Sequence, residues 1–263
     1  RNVFMGSSTT LIANDGSGFS NLSGSDNVFV GSKAGQYNTS GSDNILIGTQ
    51  AGASVTTGVK NIVVGSNAGA TMTTSYGNLV MGFKAGQAAT GNDNIILGHE
   101  AGSEATGSLN MFIGNQAGRK SIGTNNIYVG YEAGENNEGG PGTGSGSYNL
   151  AVGQYAGRNL RTGNRNILLG SGDSTVGTGS NLTIGSDNIF LGYQAGKTTS
   201  ETDNNIFVGT QAGYSTTDGH SNLFFGTTAG YNNTGGDYNN FFGTDAGKLN
   251  TQGDNNTYVG YRA

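Results

Sequence analysis

The sequence predicts an all-β protein, a parallel β-solenoid or β-roll of about 15 rungs, where a rung is one repeat of the coil. Two observations lead to this fold class. A five-residue phrase, an asparagine followed by three mostly apolar residues and a glycine, recurs fifteen times. Most successive phrases begin 16 or 17 residues apart, and a fixed period this short is typical of solenoids. The phrases begin at Asn2, Asn27, Asn44, Asn61, Asn78, Asn94, Asn110, Asn126, Asn149, Asn166, Asn188, Asn205, Asn222, Asn239 and Asn256.

The composition indicates an ordered chain whose core is distributed along its length. The 263 residues include 50 glycines, one proline and no cysteine, and 11% are charged. A disordered glycine-rich linker would lack apolar residues that recur in register. The net charge of −5 provides no basic surface, so we expect no nucleic-acid partner. No apolar run approaches the roughly 18 to 20 residues of a membrane span, so we expect no membrane insertion by this segment.

Each apolar triplet predicts a very short strand. Aliphatic, β-branched and aromatic residues bounded by turn-forming residues favour strands, whereas the recurring glycine and asparagine would interrupt a helix. The glycine that closes each triplet can turn the backbone at a corner. In twelve repeats an Ala-Gly pair follows, and its small alanine suits a second, tightly packed wall of the coil. Stacking of the repeats then gives parallel strands about 4.8 Å apart.

Stacked repeats also place like residues above one another. We expect the motif asparagines to form a ladder of side-chain hydrogen bonds, as in cross-β structures. A second ladder is expected from threonines that lie four residues after the glycine of Ala-Gly. These are Thr39, Thr56, Thr73, Thr90, Thr106, Thr217, Thr234 and Thr251.

Both faces of the predicted strands are apolar, and this pattern predicts association. Successive strand side chains point to opposite faces, yet all three triplet positions are apolar apart from Asn240 and Thr257 at the first position. A lone solenoid would expose an apolar stripe larger than soluble monomers tolerate. Burial of each aliphatic side chain contributes about 1.5–3 kcal/mol. We expect a parallel homotrimer, side by side or intertwined, although the residue pattern alone leaves a dimer open.

The repeated unit Asn-(apolar)₃-Gly-x-x-Ala-Gly resembles the head repeats of trimeric autotransporter adhesins. It is also similar to repeat arrays in tail-fibre-domain proteins of bacteria and phages. The resemblance covers essentially the whole chain and implies a left-handed parallel β-roll that assembles as a trimer. The period of 16–17 residues is longer than that of the adhesin heads, so we expect larger turns.

From this resemblance we expect a structural and adhesive fibre segment of an extracellular, surface-exposed protein. It would present loops or a fibre tip to a glycan or a protein on a target cell. The alternative is a phage tail-fibre shaft or receptor-binding segment, located in a virion. An ice-binding solenoid ranks lower, because only one threonine column is regular.

Residues 1–263 are interpreted as a single repeat array, a segment of a longer fibre. Three intervals break its period, with insertions near residues 7–26, 135–148 and 171–187. Loops that protrude from a rigid scaffold often carry binding residues. Solenoids also tolerate surface insertions without any function, so the insertions alone do not establish a site.

Four residues are candidates for ligand binding. Tyr148 and Asn181 belong to two of the irregular segments, and Tyr131 and Tyr193 each follow a strand-closing glycine. A tyrosine ring beside fixed polar groups suits the stacking of a sugar. The alternative interpretation is that these rings pack between adjacent rungs.

No residue pattern predicts catalysis, a cofactor or a metal site. Aspartates that precede the motif asparagine in several repeats suit turns, and the nonapeptide of calcium-binding β-rolls is absent. Glu100 and Glu132 occupy the same repeat position on one wall, whereas glycosidases need two acids across a cleft. His99 and His220 occupy different repeat positions and have no nucleophile or metal-ligand partners. We therefore expect that the protein is not an enzyme.

Overall fold

The chain folds as an all-β parallel β-solenoid, which confirms the predicted fold class. The structure, a computed structural model, describes residues 1–6, 16–137, 146–173 and 176–263. It contains fifteen strands of three residues, and the described residues include no helix. Each strand begins immediately after a motif asparagine, as the recurring phrase predicts.

The first of two compact units spans Arg1–Ser121 and contains seven strands. Each of these strands pairs in parallel with the next along the chain, without any shift between repeats, so that Phe29 lies opposite Leu46. The strands are β1 (Val3–Met5), β2 (Val28–Val30), β3 (Ile45–Ile47), β4 (Ile62–Val64), β5 (Leu79–Met81), β6 (Ile95–Leu97) and β7 (Met111–Ile113).

The second compact unit spans Ile122–Ala263 and contains eight strands. The pairing is again parallel and consecutive, with Phe207 opposite Phe224. The strands are β8 (Ile127–Val129), β9 (Leu150–Val152), β10 (Ile167–Leu169), β11 (Ile189–Leu191), β12 (Ile206–Val208), β13 (Leu223–Phe225), β14 (Asn240–Phe242) and β15 (Thr257–Val259).

Left-handed backbone conformations form the corners of each rung. From β2 to β15 the strand-closing glycine has φ values from 128° at Gly31 to 146° at Gly170, a region that essentially only glycine adopts. The residue before Ala-Gly and the residue before the motif asparagine are also left-handed, for example Lys33 at 60° and Asp43 at 59°. The expected corner at the strand-closing glycine is therefore confirmed, and each repeat turns at further points as well.

The middle residue of each triplet points into the coil. In β2 to β14 this residue is buried, whereas its two neighbours are half-buried or exposed, as with Phe207 between Ile206 and Val208. Rings from successive rungs stack inside the second unit, and the centroids of Phe207 and Phe224 lie 4.8 Å apart. The alanines of the Ala-Gly pairs are also fully buried, so they do form a second packed wall.

The residues three positions after the glycine of Ala-Gly stack into a third interior column, beside the columns of middle strand residues and of alanines. This third column was not predicted from the sequence. Its residue type depends on the middle strand residue of the same rung. An aromatic strand residue occurs with Asn, Ser or Thr, as in Phe207 with Thr216, and an aliphatic one occurs with another aliphatic residue, as in Val63 with Met72. Large and small side chains thus share an interior of constant width, as close packing requires.

The predicted asparagine ladder is confirmed. The side-chain oxygen of Asn44 accepts hydrogen bonds from the backbone N–H of Asn61 at 3.0 Å and from its side-chain amide at 3.1 Å. The Asn44 amide also donates to the carbonyl of Gly58 at 2.8 Å. Each motif asparagine therefore joins consecutive rungs at two points, and its buried polar atoms are satisfied.

The threonine ladder consists of hydrogen bonds from hydroxyls to backbone carbonyls and not of a chain of hydroxyls. The Thr39 hydroxyl donates to the backbone carbonyl of Thr56 at 3.1 Å, and the Thr217 hydroxyl donates to the carbonyl of Thr234 at 3.1 Å. The hydroxyl protons of four of the eight predicted threonines thus hold adjacent rungs together, namely those of Thr39, Thr56, Thr217 and Thr234.

Candidate functional site

The outward side of the strands forms the candidate site. We call the first and third residues of the fifteen strands the outward face. Twenty-eight of these thirty residues are apolar, and none is charged. In the single chain they remain partly exposed, with 37% of Ile206 and 53% of Phe225 accessible.

The size of the outward face follows from strand geometry. A three-residue strand is about 10 Å long and adds about 4.8 Å of height, so the face covers roughly 330 Å² in the first unit and roughly 380 Å² in the second. The largest apolar patch on a typical soluble monomer covers about 300–600 Å² and often marks an interaction site, and the face of each unit is of that size. Without charges or ionisable groups, such a face is suited to packing against another apolar surface.

The four predicted ligand-binding residues do not converge on one site. Tyr131 and Tyr193 share the position after the strand-closing glycine and are 42% and 39% exposed. Tyr148 precedes a motif asparagine and is 62% exposed, and Asn181 is exposed near the third interior column. They therefore occupy three different repeat positions.

An ion-pair cluster lies beside Tyr131. The Arg158 guanidinium contacts Glu132 at 2.8 Å and Glu135 at 2.9 Å, and both glutamates are buried. A hydrogen bond to Glu132 raises the pKa of the Tyr131 phenol, whose ring meets Tyr155 edge-on at 5.4 Å. One guanidinium thus holds both carboxylates.

The sequence itself contains a signal for this cluster. Glu135 and Arg158 each follow the glycine of Ala-Gly in consecutive repeats. Opposite charges at one repeat position become neighbours when the repeats stack.

Two further tyrosines use their ring faces within the coil. Tyr214 and Tyr231 follow Ala-Gly pairs in consecutive repeats, and their rings stack with centroids 4.7 Å apart. The Lys197 ammonium lies 4.9 Å from the Tyr214 ring centroid and donates to its hydroxyl at 2.8 Å, which raises the pKa of Lys197. These contacts are those of packing between rungs, and the stacking covers one face of each ring.

The remaining polar candidates also have partners within the coil. Glu100, in the first unit, accepts a hydrogen bond from the Gln116 amide at 2.9 Å. Glu132 belongs to the second unit and pairs with Arg158 as described. His220 accepts the backbone N–H of Asp203 through Nδ1 at 3.0 Å, a contact between neighbouring rungs.

No family model, curated protein or solved structure matches the chain. In the part of the chain that the structure describes, no helix is long and apolar enough to cross a membrane. The same residues contain no group of three or more acidic or histidine side chains placed to hold a metal ion.

Proposed function

We propose that this chain is a structural and adhesive fibre segment in which the outward faces of three parallel copies pack against one another. One observation carries the proposal, namely that the outward face is apolar, uncharged and partly exposed in the single chain. Packing of copies removes this apolar surface from water, which favours association.

The occupant best matched to the outward face is another copy of the same chain. Within each unit the face is only about 10 Å wide and repeats every 4.8 Å, so a partner with the same spacing fits it best. The outward faces of the two units offer roughly 330 Å² and roughly 380 Å² of apolar area to such a partner, against the ~800 Å² per partner of a standard stable interface. Three copies rather than two are proposed because the repeated unit resembles those of trimeric adhesin heads.

We propose an extracellular surface as the location of this fibre. The ladders of asparagine and threonine hydrogen bonds hold the rungs together without any disulfide, and the chain contains no cysteine. The insertions near residues 7–26, 135–148 and 171–187 interrupt the regular array. We propose that such insertions recognise a glycan or a protein on a target cell, since binding residues concentrate in loops on rigid scaffolds.

Assembly is tested by single cysteines placed in the cysteine-free chain. We expect Ile167→Cys chains to link to one another under oxidising conditions, because parallel copies in register place identical outward residues side by side. A disulfide requires Cα atoms within about 7 Å, so the link reports direct contact. Light scattering of the unmodified protein should give three times the chain mass of 26.7 kDa.

The matched control for this experiment is Leu249→Cys, an apolar position in the same unit that is 84% exposed away from the outward face. It should leave the chains unlinked. A monomeric mass together with unlinked Ile167→Cys chains would contradict the proposed assembly, and twice the chain mass would show a dimer.

Recognition is tested separately from assembly. Replacement of residues 138–145 by the Thr-Ser that stands at 39–40 restores the 17-residue period of a regular repeat. On an array of surface glycans we expect the assembled protein to bind a subset, and we expect this variant to keep its mass but lose that binding. Equal binding by the variant would show that this insertion does not recognise the glycan.

A further inference from the structure

A repetitive outward face creates a problem of register between copies. Where every rung presents two similar aliphatic side chains, one copy can slide along another by whole rungs and lose contacts only at the ends. Register is weakly specified wherever neighbouring positions are alike. An assembly built on this face therefore needs residues that distinguish one rung from the others.

Two polar residues provide such a distinction. Asn240 and Thr257 are the only polar residues of the outward face, and they lie opposite each other in the pairing of β14 with β15. No hydrogen bond joins either side chain to another described residue. Their polar atoms are therefore available to a neighbouring copy.

The only aromatic residues of the outward face lie in the same region. Phe225 and Phe242 occupy the third positions of β13 and β14, and their ring centroids are 6.5 Å apart. Elsewhere the third position is aliphatic or methionine. The rungs of β13 to β15 thus form a pattern of polar and aromatic residues that does not recur in the array.

We propose that Asn240 and Thr257 fix the axial register between copies. The inference rests on the proposed function, because it requires the outward faces to meet. In register, each Asn240 amide meets the same amide of a neighbouring copy and both can hydrogen-bond. After a slip of two rungs, Asn240 faces Ile206 and Thr257 faces Leu223.

Such a slip leaves polar groups buried against aliphatic side chains. A buried donor or acceptor without a partner destabilises an interface more than a satisfied pair stabilises it. A single asparagine in an apolar coiled-coil seam fixes register by the same physics. Every copy carries the polar pair, so every copy in a slipped assembly bears the cost of unpaired polar groups, and slipped assemblies are disfavoured as a whole.

Disulfide trapping of slipped assemblies tests the proposal. Two differently tagged chains, one with Ile127→Cys and one with Ile167→Cys, are refolded together and oxidised. These outward positions are two rungs apart, about 9.6 Å, so an assembly in register forms only disulfides between identical positions. We expect the mixed disulfide to rise about tenfold or more when both chains also carry Asn240→Leu and Thr257→Val.

A matched control introduces the same chemical changes away from the outward face, as Asn232→Leu with Thr251→Val. This control should leave the mixed disulfide at the level of the unaltered pair. In a second experiment, the polar pair of the Ile127→Cys chain is moved by two rungs. Ile206→Asn and Leu223→Thr create the pair at its new place, and Asn240→Leu and Thr257→Val remove it from the old one. Mixed with the Ile167→Cys chain, this chain should favour the mixed disulfide.

The outcomes separate the register proposal from the proposed function. If identical-position disulfides form but neither experiment changes the mixed disulfide, the register proposal is wrong and the assembly stands. If the chains are monomeric and form no disulfide, both are wrong.

Discussion

The substitution Ile206→Asp is expected to convert the assembled protein into folded monomers. Ile206 points outward from β12 and is 37% exposed in the single chain, so an aspartate there keeps its contact with water when the chain is alone. In the assembly the same carboxylate would be buried against apolar neighbours, once in every copy. An unpaired buried charge costs several kcal/mol, which lowers the association constant at least about a thousandfold.

This prediction is measured by light scattering for the mass and by circular dichroism for the fold. The matched control is Leu249→Asp, an equivalent change at a position that is 84% exposed elsewhere in the same unit. The control should keep the mass of the unaltered protein. If Ile206→Asp also kept that mass with an unchanged spectrum, the outward face would not be the interface.

The regular elements of the fold were predictable because one phrase specifies one strand. Every strand begins directly after a motif asparagine, and the asparagine ladder forms as expected. Polarity could not predict which residues of the triplet point into the coil, since its first, middle and third residues are all apolar. What decides it is the packing of the middle residue against the buried alanine and the third interior column.

The third interior column was missed because its residues have no common polarity. Asn38, Met72 and Thr216 occupy the same repeat position, and all three are buried. Such a column looks like a variable surface position until it is compared with the middle strand residue of the same rung. The relation between Phe207 and Thr216 becomes visible only once both are known to share the interior.

The candidate site was predictable in part. The apolar, partly exposed face follows directly from a triplet in which alternate side chains point apart. The scatter of Tyr131, Tyr148 and Asn181 over three repeat positions could also have been read from their spacing. In the cluster of Arg158 with its two glutamates, the pairing with Glu135 follows from their shared repeat position, whereas Glu132 lies at a left-handed corner that no propensity of glutamate predicts.

The substitution Gly209→Ala is expected to destabilise the coil by about 3 kcal/mol or more. Gly209 closes β12 with φ 139°, a conformation that costs an alanine of order 1–3 kcal/mol by itself. An added Cβ would also lie 2.4 Å from the carbonyl oxygen and 2.6 Å from the carbonyl carbon of Gly226 in the next rung. These are backbone atoms held by the strand ladder, so they cannot move aside as a side chain would.

The effect is measured as the shift in the urea midpoint, at one protein concentration because association contributes to the apparent stability. Gly235→Ala is the matched control in the same unit, since a Cβ at Gly235 would meet nothing within 4 Å. There the change should stay within about 0.5 kcal/mol, with slight stabilisation from the stiffer unfolded chain. Similar shifts for both variants would mean that the close contact between rungs at the strand-closing glycines does not determine the loss of stability.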